Sequence, residues 1–408
     1  MRRHVVRTAR LVALGAVSGL IAGLGSFVFL ELLDKVTEAR FENGWMVWLM
    51  PVGGIVIGAG YHRLGERAVG GTALAVSEAH AYTRGAPRRM APMVLAGTLL
   101  GHLLGASIGR EGTAVQMSSS LTDAAARTAK LDHDDRATLA RAALAGGFGS
   151  VFGVPAAGVA FAMEVARRRN WRTLMASVPA AFVGHFVVVA LGHDHAQRPR
   201  IQVPFGFDTF LLLAIAGLVF GLAARWFAIA VPFAKQMMLR IVPWPPLRPV
   251  LGAMVTLVLM VLVGRDYLGL SLPLLDTALA GWNRDWYDPV LKFVFTVVAL
   301  GTGFVGGEVT PLFVIGACLG SVVADPLGLS QPATAALGLV AVFGAAAHVP
   351  LACTVMAGEL FGGHAIVPAL VVCLAARAMA RGDSIYAHPA ANVTADQAST
   401  TVRPGARA

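Results

Sequence analysis

Charged residues are scarce in this sequence. Lysine, arginine, aspartate and glutamate make up 14% of the 408 residues, whereas hydrophobic residues make up 56%. Soluble globular proteins are about one quarter charged, so the composition excludes an ordinary soluble protein and predicts a polytopic membrane protein. No polar stretch is long enough to form a separate soluble domain, and we therefore expect no soluble regulatory domain.

Cysteine and metal-binding patterns are also scarce. The three cysteines, Cys318, Cys353 and Cys373, lie in apolar segments without metal-ligand spacing, so we expect them to pack in the core. His-Glu-x-x-His and Gly-x-Gly-Asp motifs are absent from the sequence. Scattered histidines in apolar runs are typical of core or interface positions. We therefore expect no cofactor, no metal site and no enzymatic activity.

Long apolar segments and basic clusters are what the sequence does contain. Clear examples of segments suited to a hydrocarbon core of about 30 Å are 11–33, 44–60, 208–232 and 248–263. The arginine-rich start precedes a longer apolar segment without a clear cleavage site, which favours a retained helix over a signal peptide. The positive-inside rule places the N-terminus in the cytoplasm together with the basic clusters at 84–89, 167–172 and 376–381. The net charge of +10 is thus a topology signal, and we expect no nucleic-acid binding.

The sequence contains two similar halves. GREGT at 109–113 aligns with GGEVT at 306–310 at an offset of 197, and this alignment pairs Glu111 with Glu308. Downstream, FGSVFGVPAAGVAFAME matches FGAAAHVPLACTVMAGE at an offset of 195. Chance does not account for several matches in register, so we interpret the chain as two structural repeats. The repeats are residues 11–193 and 207–381, and they are followed by a C-terminal segment, 382–408, in which we expect a disordered tail.

Both halves show the pattern of broken membrane helices. Glycines precede apolar segments that are too short to span a bilayer, and prolines stand where helices are expected to break. Such breaks expose backbone N–H groups, which are anion ligands. A carboxylate inside a membrane costs about 3 kcal/mol or more, so Glu111 and Glu308 are candidate functional residues. The alternative is a structural ion pair, but neighbours on a helix point about 100° apart, which makes a pair between Arg110 and Glu111 awkward.

At these motifs the sequence resembles the CLC family of chloride channels and proton-coupled anion transporters. GREGT is similar to the family's Gly-[Lys/Arg]-Glu-Gly-Pro motif, whose glutamate gates the anion path and carries the proton, and this role falls on Glu111. GGEVTP is similar to the Gly-x-Phe-x-Pro motif that lines the central anion site. The resemblance implies an all-α polytopic membrane protein with the CLC-type fold, in which two inverted-topology repeats bring broken, re-entrant helices together at the midplane.

The resemblance also implies a set of anion-binding residues and a homodimer with one pathway per subunit. Tyr386 falls where the family's anion-coordinating tyrosine lies, and Thr72 is the best match for a serine of the family's first motif. Apolar faces at 173–193 and 349–372 are candidates for the dimer interface. The anion-binding residues implied are Gly109, Arg110, Glu111, Gly112, Thr113, Gly307, Glu308, Val309, Thr310, Tyr386 and Thr72.

Several departures from the family pattern are informative. Thr113 replaces the proline that follows the gate, Val309 replaces the phenylalanine of the second motif, and Glu308 precedes it. Val165 stands at the position of the intracellular glutamate of proton-coupled chloride exchangers. These departures are similar to the fluoride-transporting branch of bacterial CLC proteins, which exports fluoride in exchange for protons. They imply a location in the bacterial cytoplasmic membrane.

The chemistry of fluoride agrees with this resemblance. Fluoride is small and strongly hydrated, and it accepts stronger hydrogen bonds than other halides, so its site has to replace water with donors. A protonated carboxyl group is a donor, and Glu111 or Glu308 would therefore bind fluoride only when protonated.

Three alternatives stay open from the sequence alone. A CLC-type chloride/proton exchanger or a passive chloride channel is the strongest, because the missing intracellular glutamate would indicate a channel in the chloride branch. A cation-coupled transporter with an unrelated fold is weaker, because its site would need carbonyl and carboxylate ligands. An intramembrane enzyme is weaker still, because the His-Glu-x-x-His and Gly-x-Gly-Asp motifs are absent.

Overall fold

The computed structural model describes residues 2–166, 170–282, 284–382 and 384–387. These residues form sixteen α-helices and contain no β-strand, so the all-α prediction is confirmed. Positions 167–169 of the predicted basic cluster and 388–408 of the predicted tail lie outside the described residues. The helices of the first half are α1 (Arg2–Glu42), α2 (Met50–Leu64), α3 (Gly71–His80), α4 (Met90–Leu103), α5 (Glu111–Thr128), α6 (His133–Phe152), α7 (Pro155–Val165) and α8 (Trp171–Ala190). Those of the second half are α9 (Phe207–Ile241), α10 (Leu247–Val263), α11 (Leu272–Leu279), α12 (Asp288–Thr302), α13 (Val309–Ala324), α14 (Gln331–Ala347), α15 (Pro350–Phe361) and α16 (Ile366–Met379).

The two sets of eight helices are ordered alike in the places of their longest and shortest members. α1 and α9 are the longest of their sets, with 41 and 35 residues, and α3 and α11 are the shortest, with 10 and 8. The two glutamate motifs stand at equivalent places, because each begins the fifth helix of its set. This order supports the two proposed repeats, whose boundaries at 11–193 and 207–381 stay a prediction.

Within the described part of the chain, four apolar helical stretches are long enough to cross a membrane. They are Val6–Glu42, Gly44–Leu64, Trp171–Ala190 and Phe207–Ile241. Three of them contain predicted segments, whereas the stretch in α8 was not among the spans that the sequence indicated. The predicted segment 248–263 lies in α10, which is one of several apolar helices of 10–17 residues. At 1.5 Å per residue, α1 and α9 are longer than a core of about 30 Å, so we expect them to tilt or to project from it.

α1 packs against α8 through a row of glycines. A Cβ atom on Gly15, Gly19 or Gly23 would lie 2.3, 2.5 or 2.6 Å from a backbone oxygen of α8. Only glycine allows this approach, because any side chain would push the two helices apart. The glycine-rich segment at 15–25 therefore serves helix packing, as its spacing indicates.

The predicted proline breaks are confirmed. α6 ends before Gly153 and α7 begins at Pro155, and the equivalent break separates α14 from α15 at His348 and Pro350. Gly153 and His348 have φ angles of 73° and 61°. This left-handed conformation ends each helix, and a proline at the first position begins the next one.

Candidate functional site

The two glutamate motifs meet at a pair of glycines. Gly109 N donates to Gly307 O at 2.7 Å, and Gly307 N donates to Gly109 O at 2.8 Å. A Cβ atom on Gly307 would lie 2.6 Å from the backbone nitrogen of Gly112, and one on Gly109 would lie 2.8 Å from Cδ of Pro311. The absence of side chains at these positions therefore brings the N-termini of α5 and α13 together.

The Glu111 carboxylate lies at the N-terminus of α13. It is 1% exposed, and its Oε2 atom accepts a hydrogen bond from Thr310 N at 3.0 Å. Thr310 Oγ1 lies 2.5 Å from both carboxylate oxygens. The positive end of the α13 dipole and these donors favour an anion, and the Glu111 carboxylate is the anion that they hold in this structure.

Arg110 contacts the same carboxylate, contrary to the expectation that neighbours make an awkward pair. Its Nε lies 3.5 Å from Glu111 Oε1, and its backbone N–H donates to Oε2 at 3.2 Å. The expectation assumed that both residues are inside a helix, whereas Arg110 is the N-cap of α5, which begins at Glu111. At the start of the helix the glutamate side chain folds back past the preceding residue.

Glu308 is the N-cap of α13 and differs from Glu111 in its contacts. Its side chain makes no capping hydrogen bond, and its inaccessible Oε2 atom has no partner among the described residues. The side chain as a whole is half-buried. The described residues thus show no ion pair within contact distance of Glu308, although Lys235 lies within electrostatic reach, and one oxygen of this carboxyl group is unpartnered.

Thr72 lies beside the GREGT motif. Its Oγ1 would be 2.8 Å from a Cβ atom on Gly112, and it accepts a hydrogen bond from Gln116 Nε2 at 3.1 Å. Gln116 is 3% exposed and was not identified from the sequence. The sequence signal for Gln116 was its position, because it places a polar amide side chain five residues after Glu111 in the same helix.

Thr113 and Thr310 occupy equivalent sequence positions but have different partners. The Thr113 hydroxyl forms a 2.7 Å hydrogen bond with Thr98 of α4, whereas the Thr310 hydroxyl contacts Glu111. Val309, where the family has phenylalanine, is 1% exposed. The site is therefore asymmetric, because the second repeat supplies the donors that the Glu111 carboxylate uses.

Tyr386 is buried near both glutamates. It is 6% exposed and lies within electrostatic reach of Glu308 and Glu111. Its ring packs edge-on against Phe161 with 6.2 Å between centroids. The aromatic side chains around it, which the sequence analysis did not assign, form a contiguous cluster of Phe148, Phe152, Phe161, Phe313 and Phe343.

Two further glutamates cap helices of the opposite half. Glu164, next to Val165, accepts hydrogen bonds from the backbone nitrogens of Leu351 and Ala352 at 3.3 and 2.9 Å, at the start of α15. Glu359 accepts from the first backbone nitrogens of α7, at 2.9 and 2.8 Å. Glu164 is thus engaged as a helix cap beside the position where chloride exchangers carry their intracellular glutamate.

A family comparison agrees with these features. The model of the voltage-gated chloride channel family matches residues 53–381. The chain belongs to this family. It is 40% identical to the "Chloride/fluoride channel protein" of Pseudomonas syringae pv. tomato over 93% of this chain and 86% of that protein. It is also 25% identical to the "H(+)/Cl(-) exchange transporter ClcA" of Yersinia pseudotuberculosis over 96% of this chain and 90% of that protein.

Solved structures show the same fold. A crystal structure of a CLC-type fluoride/proton antiporter superposes with a TM-score of 0.89 and 32% identity, covering 93% of this chain and 97% of that one. A slow cyanobacterial Cl⁻/H⁺ antiporter superposes with a TM-score of 0.80 at 18% identity, covering 96% and 99%. The predicted CLC-type fold of this membrane protein is confirmed, and its relatives are anion transport proteins.

Proposed function

We propose that the protein is a fluoride/proton antiporter that exports fluoride from the cytoplasm in exchange for protons. The position of the Glu111 carboxylate carries this proposal. The carboxylate uses the backbone N–H and the hydroxyl group of Thr310, which are the donors that an anion would use. The carboxylate and the transported anion therefore compete for one place, and Glu111 acts as the gate.

Protonation changes the outcome of this competition. A neutral carboxyl group is no longer attracted to the N-terminus of α13, so it leaves and an anion takes its donors. The departing group is now a hydrogen-bond donor itself and can contact the anion that replaced it. Each anion that enters therefore requires a proton on Glu111, and this coupling uses no carboxyl group at the position of Val165.

Two features favour fluoride over chloride. The unpartnered Glu308 oxygen becomes a donor when protonated, and a strong acceptor such as fluoride gains most from additional donors. Valine at 309 removes the polarisable ring that a larger halide would contact. The fluoride named in the titles of two relatives supports the same assignment.

The second candidate is a CLC-type chloride/proton exchanger or a passive chloride channel. The relative named as an H⁺/Cl⁻ exchange transporter supports the exchanger. The missing intracellular glutamate supports the channel. The gate geometry alone suits either anion, because backbone N–H groups bind chloride as well as fluoride.

Flux from liposomes tests the proposal. Purified protein is reconstituted with equal internal fluoride and chloride, and ion-selective electrodes follow the release of each anion after the membrane potential is collapsed. We expect fluoride release to be far faster than chloride release, and a proton gradient to drive fluoride uphill. The Glu111→Gln variant cannot release a proton, so we expect it to lose uphill transport. Equal rates for both anions would reject fluoride selectivity, and uphill transport by Glu111→Gln would reject the gate assignment.

We also propose that the chain forms a homodimer in the bacterial cytoplasmic membrane with its N-terminus in the cytoplasm. Arg10 pairs with Asp135 at 2.6 Å, and Arg172 pairs with the same carboxylate at 3.2 Å, so the starts of α1, α6 and α8 lie at one end. Positive charges concentrated there favour the cytoplasmic side. Exposed Phe182 and Phe186 on α8 support 173–193 as an interface, and the second predicted face at 349–372 carries exposed Leu351.

A further inference from the structure

Four basic side chains gather around the loop that leads to the gate. We call them the buried basic cluster, and they are Arg40, His102, Arg110 and Lys292. His102 lies within electrostatic reach of the other three. Lys292 is 0%, His102 1% and Arg40 7% exposed. Burying a cation costs several kcal/mol unless an opposite charge and hydrogen bonds compensate for it, so this cluster needs a source of negative charge.

The hydrogen bonds of Lys292 do not supply that charge. Its Nζ donates to Ser107 Oγ at 2.9 Å, Tyr267 O at 3.2 Å, Gly269 O at 2.8 Å and Ser271 Oγ at 2.9 Å. All four acceptors are neutral, so none of them supplies negative charge to the cluster. Lys292 Nζ therefore lies next to Ser107, four residues before Glu111, without a carboxylate partner.

Arg40 lies beside Gly269, whose backbone nitrogen donates to Gly105 O of the loop that leads to the gate at 3.1 Å. A Cβ atom on Gly269 would lie 2.5 Å from one terminal guanidinium nitrogen of Arg40, and the carbonyl of Gly269 is one that Lys292 binds. The Nε atom of Arg40 is buried and has no hydrogen-bond partner among the described residues. Arg40 and Lys292 thus both lie next to Gly269, and the Nε atom of Arg40 is a donor without a partner.

Two more unpartnered nitrogens belong to the same cluster. Nε2 of His102 and Nε of Arg110 are buried without a hydrogen-bond partner in the described part of the chain. Glu111 is the carboxylate that those described residues bring into ion-pair contact with the cluster, through Arg110 at 3.5 Å. When Glu111 is protonated and leaves, the cluster loses this compensation as well.

We propose that the buried basic cluster binds a small inorganic anion at a second site, separate from the donors at the N-terminus of α13. Arg40 supplies a charged N–H donor at its unpartnered Nε atom, and the Nε2 atom of neutral His102 supplies a second N–H in one of its two tautomers. Because Arg110 contacts Glu111 and lies within electrostatic reach of His102, an anion in the cluster compensates the charge while Glu111 is neutral. The identity of the anion as fluoride rests on the proposed function, whereas the existence of the site does not.

Thermal unfolding of the purified full-length protein in detergent tests this site. The protein is melted in sodium gluconate, and then with increasing sodium fluoride or, separately, sodium chloride. An anion that binds only the folded protein raises its stability by RT ln(1 + [L]/Kd) at each site. Arg40→Gln removes a cation that makes no hydrogen bond among the described residues. Arg40→Lys keeps the charge, and Arg265→Gln removes an exposed arginine from a neighbouring loop as the matched control.

We expect Arg40→Gln to lose about half of the anion-induced rise in melting temperature, since two sites of similar affinity contribute equally. Arg40→Lys and Arg265→Gln should keep the full rise, and His102→Gln is a second variant that should lose the same part. A full rise in both Arg40→Gln and His102→Gln would overturn the proposal, as would an equal loss in Arg265→Gln. If chloride gives the Arg40-dependent rise and fluoride does not, the site stands and the fluoride assignment falls.

Discussion

Replacing Thr310 with valine removes one hydroxyl group from the Glu111 carboxylate and keeps the other donor. The hydroxyl lies 2.5 Å from both carboxylate oxygens, and the backbone N–H, which is unchanged by the substitution, lies 3.0 Å from Oε2. Valine has nearly the shape of threonine, and position 310 is 3% exposed. We therefore expect the variant to fold and the gate carboxylate to bind less tightly.

The size of the effect follows from the kind of hydrogen bond. A hydrogen bond to a charged group contributes about 1.5–3 kcal/mol, and a loss of about 2 kcal/mol lowers an equilibrium constant roughly 30-fold. An anion then displaces the unprotonated carboxylate more easily. We expect a fluoride leak that is independent of protons to rise by up to roughly this factor, and the number of protons moved per fluoride to fall.

Paired measurements in liposomes check this prediction. A fluoride electrode gives the fluoride flux, and a pH indicator inside the vesicles gives the proton flux at the same time. Thr302→Val is the matched control, because Thr302 is also buried but its hydroxyl donates to Val298 O of its own helix at 2.8 Å. An unchanged proton-to-fluoride ratio in Thr310→Val would refute the role of the hydroxyl, and an equal change in Thr302→Val would assign the effect to helix packing.

Three further changes have defined outcomes. Glu308→Ala should leave the protein folded, because the described residues form no ion pair with this side chain. The fluoride flux and the preference for fluoride over chloride should both fall. Unchanged values for both would make Glu308 incidental. Gly307→Ala should not yield a monodisperse protein on size-exclusion chromatography, because its Cβ would lie 2.6 Å from the Gly112 nitrogen, whereas Gly363→Ala, with open space around it, should behave as wild type. Burial lowers the pKa of His195 to about 4, below its ordinary value of about 6.5. The stability that this neutral ring confers is complete above about pH 6.5 and is lost as the pH falls toward about 4, so the melting temperature of His195→Gln should fall less on acidification than that of wild type.

The contact between the two halves could be predicted from the sequence, because the similarity between the halves identifies equivalent positions. The offset that pairs Glu111 with Glu308 predicted two breaks of the same kind, and the structure joins them through Gly109 and Gly307. The proline breaks were accessible for a similar reason, since proline cannot continue a helix in the middle.

The contacts of each side chain could not be predicted from the sequence in this way. Equivalent positions need not have equivalent neighbours, and the hydroxyl groups of Thr113 and Thr310 have different partners. Lys292 stands in an apolar helix without any motif around it, and its four acceptors come from loops distant in the sequence. A pattern of residue types records neither the direction of a side chain nor the path of a distant loop, so such contacts require the folded chain.

The reciprocal caps of Glu164 and Glu359 limit how the two halves can move. Each carboxylate binds backbone nitrogens at the start of the other half's helix, and the pair of backbone hydrogen bonds between Gly109 and Gly307 joins the halves again at the gate. Rocking one half against the other would break both connections at once. Access to the anion site from either side of the membrane is therefore expected to alternate through the swing of single side chains, with the two halves staying still.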